Sequence, residues 1–365
     1  MIPVAAHIEL DYSALQHNLR RVREYAPNSR LMAVIKANAY GHGLITIANQ
    51  INQEVDAFAV ARLDEALFLR ESGIKQKILV LQGFSHADEV PLLQKNQLEV
   101  VIHTEEQLEI LESINQPGAL KVWLKIDTGM NRLGIQPAQF DAILSRLKKC
   151  RLVHQSIAFM THFANADDNQ DTATVRQLQL FNETLNKHSG LKSSANSAGL
   201  IAWPEAQQDW VRPGLMLYGV SPIPSKTAAQ LGLKPVMSLY SRIIAIKQVK
   251  KGQAVGYGGG WRAESDTLIG IVSIGYGDGY PRHANTGTPV LINNKRAPLI
   301  GRVSMDMLSV DLSHIAGVKL GDMVKLWGDG IPVEELAVDA GTIPYTLLCG
   351  ITRRVQVYGK SQALK

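Results

Sequence analysis

Residues 30–43 read RLMAVIKANAYGHG, and how they fold decides how the chain is built. Residues 31–35 are five apolar side chains in a row. Such a run suits a strand buried on both faces, as in a parallel sheet flanked by helices. It is closed by Lys36 and followed by Ala37, Asn38, Ala39, Tyr40, Gly41, His42 and Gly43. A lysine at the end of a buried strand is costly unless it is paired, reaches water or is used chemically. The small residues behind it let backbone and ligand approach closely. Two readings stand at this point. Lys36 snorkels to solvent, or it forms a Schiff base with a carbonyl ligand.

Working outward, residues 7–10 read as a short strand, and 14–26 place Leu15, Leu19 and Val22 at helical spacing. Beyond 31–35, strand-like runs follow at 57–61, 78–81, 99–102, 122–126, 156–159, 192–195 and 211–217. Helical patterns lie between them at 63–71, 105–114, 138–147 and 172–187. Eight strand candidates alternating with helical or polar segments predict an α/β chain with a (β/α)8 TIM-like barrel over 11–230. No G-x-G-x-x-G follows a first strand, which disfavours a doubly wound open sheet. Pro222, Pro224, Gly232 and Pro235 mark a connector. After it, short apolar runs at 239–249, 268–274, 289–292, 308–312 and 323–326 are broken by glycine-rich turns. They predict a mainly β second domain over 235–365.

The bulk composition excludes several classes. Of 365 residues, 45% are hydrophobic and 19% charged, ordinary for a globular chain. The net charge of +5 is spread along the sequence without a dense basic run, which argues against a nucleic-acid partner and suits an anionic small ligand. Cys150 and Cys349 form neither a disulfide framework nor a metal-ligand spacing, so no metal is expected. A basic n-region with a long apolar stretch behind it is not found at the N-terminus, and no run approaches a membrane span. The expectation is a cytoplasmic protein with no membrane partner.

In a barrel, chemistry sits at the C-terminal strand ends. The first candidate strand ends at Lys36, with Tyr40 just beyond. The fifth runs into Asp127 to Gly134, including Arg132. The sixth ends in Thr161-His162-Phe163, the seventh in Ala195-Asn196-Ser197, and the eighth passes Arg212, Gly214 and Leu215. Each has a plainer explanation alone. His162 suits a structural histidine, the arginines suit ion pairs, and Asn196-Ser197 suits a helix N-cap. Their coincidence at successive strand ends is what chance rarely arranges. Ser197, the amides after it and those near Gly214 would cradle a phosphate. An arginine facing an aromatic nitrogen would disfavour its protonation. With an imine-forming lysine, these describe a site for pyridoxal phosphate. The second domain adds VGYGGGW at 255–261, SIGYGDGYPR at 273–282 and GRVSMD at 301–306, where tyrosines sit between turn glycines.

Eight segments, in order across both domains, now carry a resemblance. They are AVIKANAYGHG (33–43), KIDTGMNRLG (125–134), THFANAD (161–167), ANSAG (195–199), VRPGLMLYG (211–219), VGYGG (255–259), IGYGDGY (274–280) and GRVSMD (301–306). The sequence resembles the alanine racemases, fold-type III pyridoxal phosphate enzymes, over essentially its full length. That resemblance implies interconversion of L- and D-alanine, supplying D-alanine for peptidoglycan or serving alanine catabolism. It implies a homodimer whose active sites combine the barrel of one subunit with the β-domain of the other. It also implies that the strand within 1–10 packs on the β-domain. By the match, Lys36 carries the cofactor and is one catalytic base, and Tyr257 is the other. Arg212 faces the ring nitrogen, and His162 links Arg212 to Tyr257. Tyr40, Asn196, Ser197, Gly214 and Leu215 surround the phosphate. Arg132, Tyr276, Met305 and Asp306 serve the substrate.

Three positions depart from the family pattern or vary within it. Thr352-Arg353-Arg354 stands where some members have a phosphate-site tyrosine, and Tyr345 lies too early to replace it. Lys125 sits where certain members carry a carbamylated lysine. Ser304 replaces a cysteine found in some relatives, a less reactive choice. Racemisation needs a proton removed from one face and returned to the other, which two opposed bases accomplish. A tyrosine base needs its pKa drawn down from about 10 by nearby positive charge. A non-catalytic pyridoxal phosphate carrier would lack the second domain. A decarboxylase would differ in its phosphate and substrate motifs.

Overall fold

The structure is a computed structural model in which residues 6–114 and 116–360 are described. Residues 1–5 of the expected N-terminal strand segment, and 361–365 of the expected second domain, lie outside the described residues. The chain divides into two compact units. One is Leu19–Leu217 with Pro222–Lys226, and the other is Met1–Asn18, Tyr218–Ser221 and Thr227–Lys365. Strand β1 (His7–Leu10) belongs to the second.

The first unit is the barrel. Its strands are β2 (Arg30–Val34), β3 (Ala57–Val60), β4 (Lys77–Val80), β5 (Glu99–Ile102), β6 (Val122–Lys125), β7 (Ala158–Met160), β8 (Lys192–Ser193) and β9 (Trp210–Val211). They pair in parallel in the order β8-β7-β6-β5-β4-β3-β2-β9. The remaining gap is bridged where the Arg212 amide donates to the Ala195 carbonyl at 2.9 Å. Burial explains why these strands read as unbroken apolar runs: all four residues of β3 and of β6 are buried, so no solvent face imposes alternation. The flanking helices bury one stripe each, as Phe140, Ile143, Leu144 and Leu147 do on Phe140–Lys149.

Two local departures from the sequence expectation matter for the site. The eighth strand is only Trp210–Val211, not 211–217, because Pro213 has no N–H for a ladder and a 3-10 turn, Leu215–Tyr218, takes over. The second is the backbone after β2. Ala37, Asn38, Ala39 and Tyr40 all have φ of +53° or +54°, so four non-glycine residues wind left-handed directly behind Lys36. The turn is tied down at each step. Gly41 N donates to Ala37 O at 3.1 Å and Gly43 N to Asn38 O at 2.9 Å. The Asn38 side chain accepts from Leu44 N at 2.8 Å. The buried His42 places Nδ1 3.1 and 3.0 Å from the carbonyls of Ala39 and Tyr40. Carbonyls only accept, so Nδ1 carries the proton.

In the second unit, β10 (Met237–Val249) is the organising strand. It pairs antiparallel with β1, with β13 (Thr267–Val272) and with β17 (Met323–Trp327). The intervening β11 (Ala254–Val255) and β12 (Trp261–Arg262) form a small hairpin. With β14 (Pro289–Ile292), β15 (Lys295–Ile300) and β16 (Leu308–Asp311), the order is β13-β16-β15-β14-β17-β10, and the β10–β13 pairing returns the sheet on itself. Such closure removes exposed strand edges. Strand β18 (Gln356–Gly359) runs parallel to β1 on its other side. This unit is mainly β, as the sequence suggests, with two short helices added. Helices Val333–Asp339 and Pro344–Cys349 bury Val333, Leu336 and Ala337, and Leu347 and Leu348. They are too short to show a repeating period.

Candidate active site

In the barrel unit, the predicted strand-end residues meet. Lys36 lies two residues past β2, His162 just past β7, and Arg212 just past β9. Arg212 is buried and held by the walls. Its Nη1 donates to Ser193 Oγ at 2.5 Å, and Nη2 to the carbonyls of Thr161 at 2.6 Å and Ser194 at 3.2 Å. The same Nη2 approaches His162 Nδ1 at 3.4 Å. A guanidinium only donates, so His162 accepts on Nδ1 and carries its proton on Nε2. Burial, then the charges of Arg212, Lys125, Arg132 and Lys36, push the His162 pKa well below its ordinary value, so the ring is neutral. Burial alone lowers Arg212 to about 10, still charged at neutral pH.

Lys125, the last residue of β6, joins this cluster. Burial and the charges of Arg212, Arg132 and Lys36 bring it down to about 8, with Asp127 opposing. Arg132 stands on the 127–135 loop, which Asp127 shapes by accepting from the amides of Gly129 and Asn131, each at 3.0 Å. Four cations and one neutral histidine thus sense one another beyond the strand ends, with Asp127 the opposing carboxylate. Such a field suits an anionic guest.

The predicted phosphate side is also assembled. Ser197 Oγ accepts from the amides of Gly214 at 2.8 Å and Met216 at 3.5 Å, which leaves its O–H to donate outward. Asn196 caps Ser197–Ala202 by accepting from Gly199 N at 2.8 Å, so its carbonyl oxygen serves the fold first. A side chain at Gly214 would place its Cβ 2.6 Å from Tyr40 Oη, so the glycine makes room for that hydroxyl. Leu215 is buried at the start of the following turn.

In the β-unit, Tyr257 sits on a short turn after β11 and is 70% exposed. Tyr276 (38%) and Met305 (53%) are exposed as well, and the segments that carry them are hydrogen-bonded, Gly277 N to Met305 O at 2.8 Å. Asp306 is paired with Arg354 at 2.7 Å, and Arg354 also reaches Asp278 at 3.3 Å. Tyr257, Tyr276 and Met305 all stand on turns with their side chains open to solvent.

Sequence reasoning did not find the groups that position Arg212. Thr161, Ser193 and Ser194 are buried polar residues at barrel strand ends, and that pattern was the available signal. Nor did it weigh the charge of Lys125, though a lysine ending an otherwise apolar strand is the same signal as Lys36.

A parallel eight-stranded barrel whose cations converge at its C-terminal strand ends, followed by a β-rich unit, defines this chain as a two-unit barrel enzyme. It belongs to the alanine racemase family: residues 10–222 match the family's N-terminal domain and 236–358 its C-terminal domain. An alanine racemase of Vibrio parahaemolyticus is 50% identical over 353 residues, 97% of this chain and 98% of that one. The crystal structure of the biosynthetic alanine racemase of Pseudomonas aeruginosa is 43% identical and superposes with a TM-score of 0.95, covering 98% of this chain and all of the other. A Bartonella henselae alanine racemase with covalently bound pyridoxal phosphate is 27% identical, with a TM-score of 0.88 over 98% of this chain and 100% of its own. Among the described residues, no helix is long and apolar enough to cross a membrane.

Proposed function

We propose that this chain racemises alanine with pyridoxal phosphate carried by Lys36, as one half of a homodimer. The observation that carries the reading is the cation cluster around a neutral His162 at the end of the parallel barrel. The residues fit the cofactor. Tyr40 Oη, Ser197 Oγ and the backbone around Gly214 offer a pocket for its phosphate, and Arg212 offers a buried, fixed cation for its ring. When bound, pyridoxal phosphate supplies an electron-withdrawing ring that acidifies the α-proton of an attached amino acid.

The protein's own groups then do the rest. Arg212 donates to Ser193, Thr161 and Ser194, which keeps it oriented, and it stays charged at neutral pH. Its charge disfavours protonation of a nitrogen placed opposite. Arg132 binds the substrate carboxylate. Lys36 Nζ handles the proton on one face. Tyr257, brought by a second copy of the chain, handles it on the other. His162 stands between Arg212 and that tyrosine with Nε2–H available to donate. Tyr276, Met305 and Asp306 of the second copy narrow the approach to a small side chain. The exposure of Tyr257, Tyr276 and Met305 supports a dimer that covers them.

The test is a racemisation assay on the purified, cofactor-loaded protein across small amino acids, beside a visible spectrum of wild type and Lys36→Ala. Alanine is expected to turn over fastest, and the lysine-linked band to vanish in the variant. No exchange of the alanine α-proton, or a band that survives the substitution, overturns the reading.

A further inference from the structure

The strained turn behind Lys36 has an anchor outside itself. Glu65 lies in the first turn of the helix Leu63–Glu71, one strand further along the chain than the lysine. Its Oε1 accepts from the amide of Ala37 at 2.7 Å. Its Oε2 accepts from the amides of Ala61 at 2.8 Å and Arg62 at 3.3 Å, just past β3. One half-buried carboxylate therefore joins the residue following Lys36 to the end of the neighbouring barrel strand.

We infer that Glu65 is a positioning residue for Lys36, fixing the direction in which the lysine side chain leaves β2. The case stands on three observations. First, Ala37 at φ +53° cannot relax into an ordinary helix without turning its N–H away from Glu65. Second, Lys36 and Ala37 share one peptide unit, so an amide fixed at Ala37 fixes ψ of Lys36 and with it the Cα–Cβ vector. Third, the donor set demands a carboxylate. Three N–H groups divide over two oxygens, and a glutamine could serve only one side, turning its NH2 against donors on the other. An ordinary capping glutamate would need only the Ala61 and Arg62 amides. Glu89 shows that ordinary case, accepting from Ser85 and His86 at 2.6 and 2.9 Å with no bond to the lysine segment.

This inference rests on the proposed role of Lys36, and the test separates the two. Holoenzyme of wild type, Glu65→Gln, Glu65→Asp and the control Glu89→Gln is compared by thermal melting, by pH titration of the visible cofactor band, and by kcat and KM for L-alanine. Glu65→Gln is expected to keep the band but to move its titration midpoint, and to lower kcat roughly ten- to a hundredfold with KM within about twofold, the scale of a misplaced catalytic group. Glu65→Asp should recover part of kcat. Glu89→Gln should lose thermal stability to a similar degree with an unmoved titration and kcat. Should Glu65→Gln match Glu89→Gln in all readouts, Glu65 is only a cap and the inference is wrong. Should wild type itself lack a Lys36-dependent band, the role of Lys36 fails instead. If Glu65→Gln does not fold, Glu65→Asp, which keeps the charge and shortens the reach, decides by the same titration.

Discussion

Replacing Ala37 by glycine should stabilise this protein or leave it unchanged, the reverse of what the substitution does in a normal helix. Ala37 is exposed, so the change opens no cavity, and it keeps the N–H that Glu65 binds. At φ +53° an alanine Cβ crowds the carbonyl oxygen, at about 1–2 kcal/mol per residue. Glycine removes that strain but gains unfolded-chain freedom worth about 0.4–1 kcal/mol. The net lies between roughly zero and 1.5 kcal/mol in favour of the variant. For a unit of this size each kcal/mol moves Tm by about 2–4 °C. Ala142 is the comparison, exposed on the right-handed helix Phe140–Lys149, where glycine should cost about 0.5–1 kcal/mol. The assay is paired thermal and urea unfolding of wild type, Ala37→Gly and Ala142→Gly at one protein and one cofactor concentration. If Ala37→Gly loses as much as Ala142→Gly, the turn holds no strain and the argument is refuted. Ala37→Val, branched at Cβ where φ is positive, should be the least stable of the set.

Other outcomes follow from the same geometry. His42 is wholly buried, and burial lowers its pKa from 6.5 to about 4 despite the carbonyls of Tyr40 and Ala39. On acidification the unfolded chain binds that proton first, so stability is intact above about pH 6.5 and falls toward pH 4, by about 3 kcal/mol in all. Urea midpoints from pH 7 to 4.5 should drop more in wild type than in His42→Asn, and parallel curves would dismiss the effect. Gly214→Ala pushes a Cβ to 2.6 Å from Tyr40 Oη and 3.2 Å from its Cζ. Cofactor affinity measured by titration of the apoprotein should weaken roughly tenfold, the scale of a modest overpacking penalty, and an unchanged affinity would take Tyr40 out of the phosphate pocket. Tyr257→Phe should abolish α-proton exchange from L-alanine while leaving the visible band in place, and exchange persisting from both enantiomers would end the two-base assignment.

How much of this was readable in the sequence depends on what each segment must bury. Strand β5 and the helix Leu63–Glu71 fall at the bounds the sequence suggests, because β5 is an apolar run with clear ends and the helix opens on the capping glutamate. Strand β15, KRAPLI, was missed because charge and a proline disguise its alternation. The convergence of Lys36, His162, Ser197 and Arg212 was legible because a parallel barrel sends every strand end to one face. The left-handed turn was not. Ala, Asn, Ala and Tyr carry no mark of positive φ apart from the asparagine's tolerance of it. Glu65 was hidden for a related reason: its partner lies 28 positions away, and only the folded backbone brings the Ala37 amide within reach.

Strand β1 lies between β10 and β18, bonded to both. Its sequence leaves the ribosome well before that of its second neighbour, which is made roughly 350 residues later. At about 5–20 residues per second, β1 waits on the order of 20–70 s before that partner exists. Until β10 is made, Ile8 and Leu10, fully buried in the folded unit, have no sheet to enter, and until β18 is made β1 keeps one edge unpaired. The pairing of β18 with β1 is therefore a suture, stitching side by side two segments that lie roughly 350 residues apart in the chain. A ribosome that stops before Gln356 leaves that edge of β1 unpaired, a mark by which chaperones can recognise and hold the unfinished sheet.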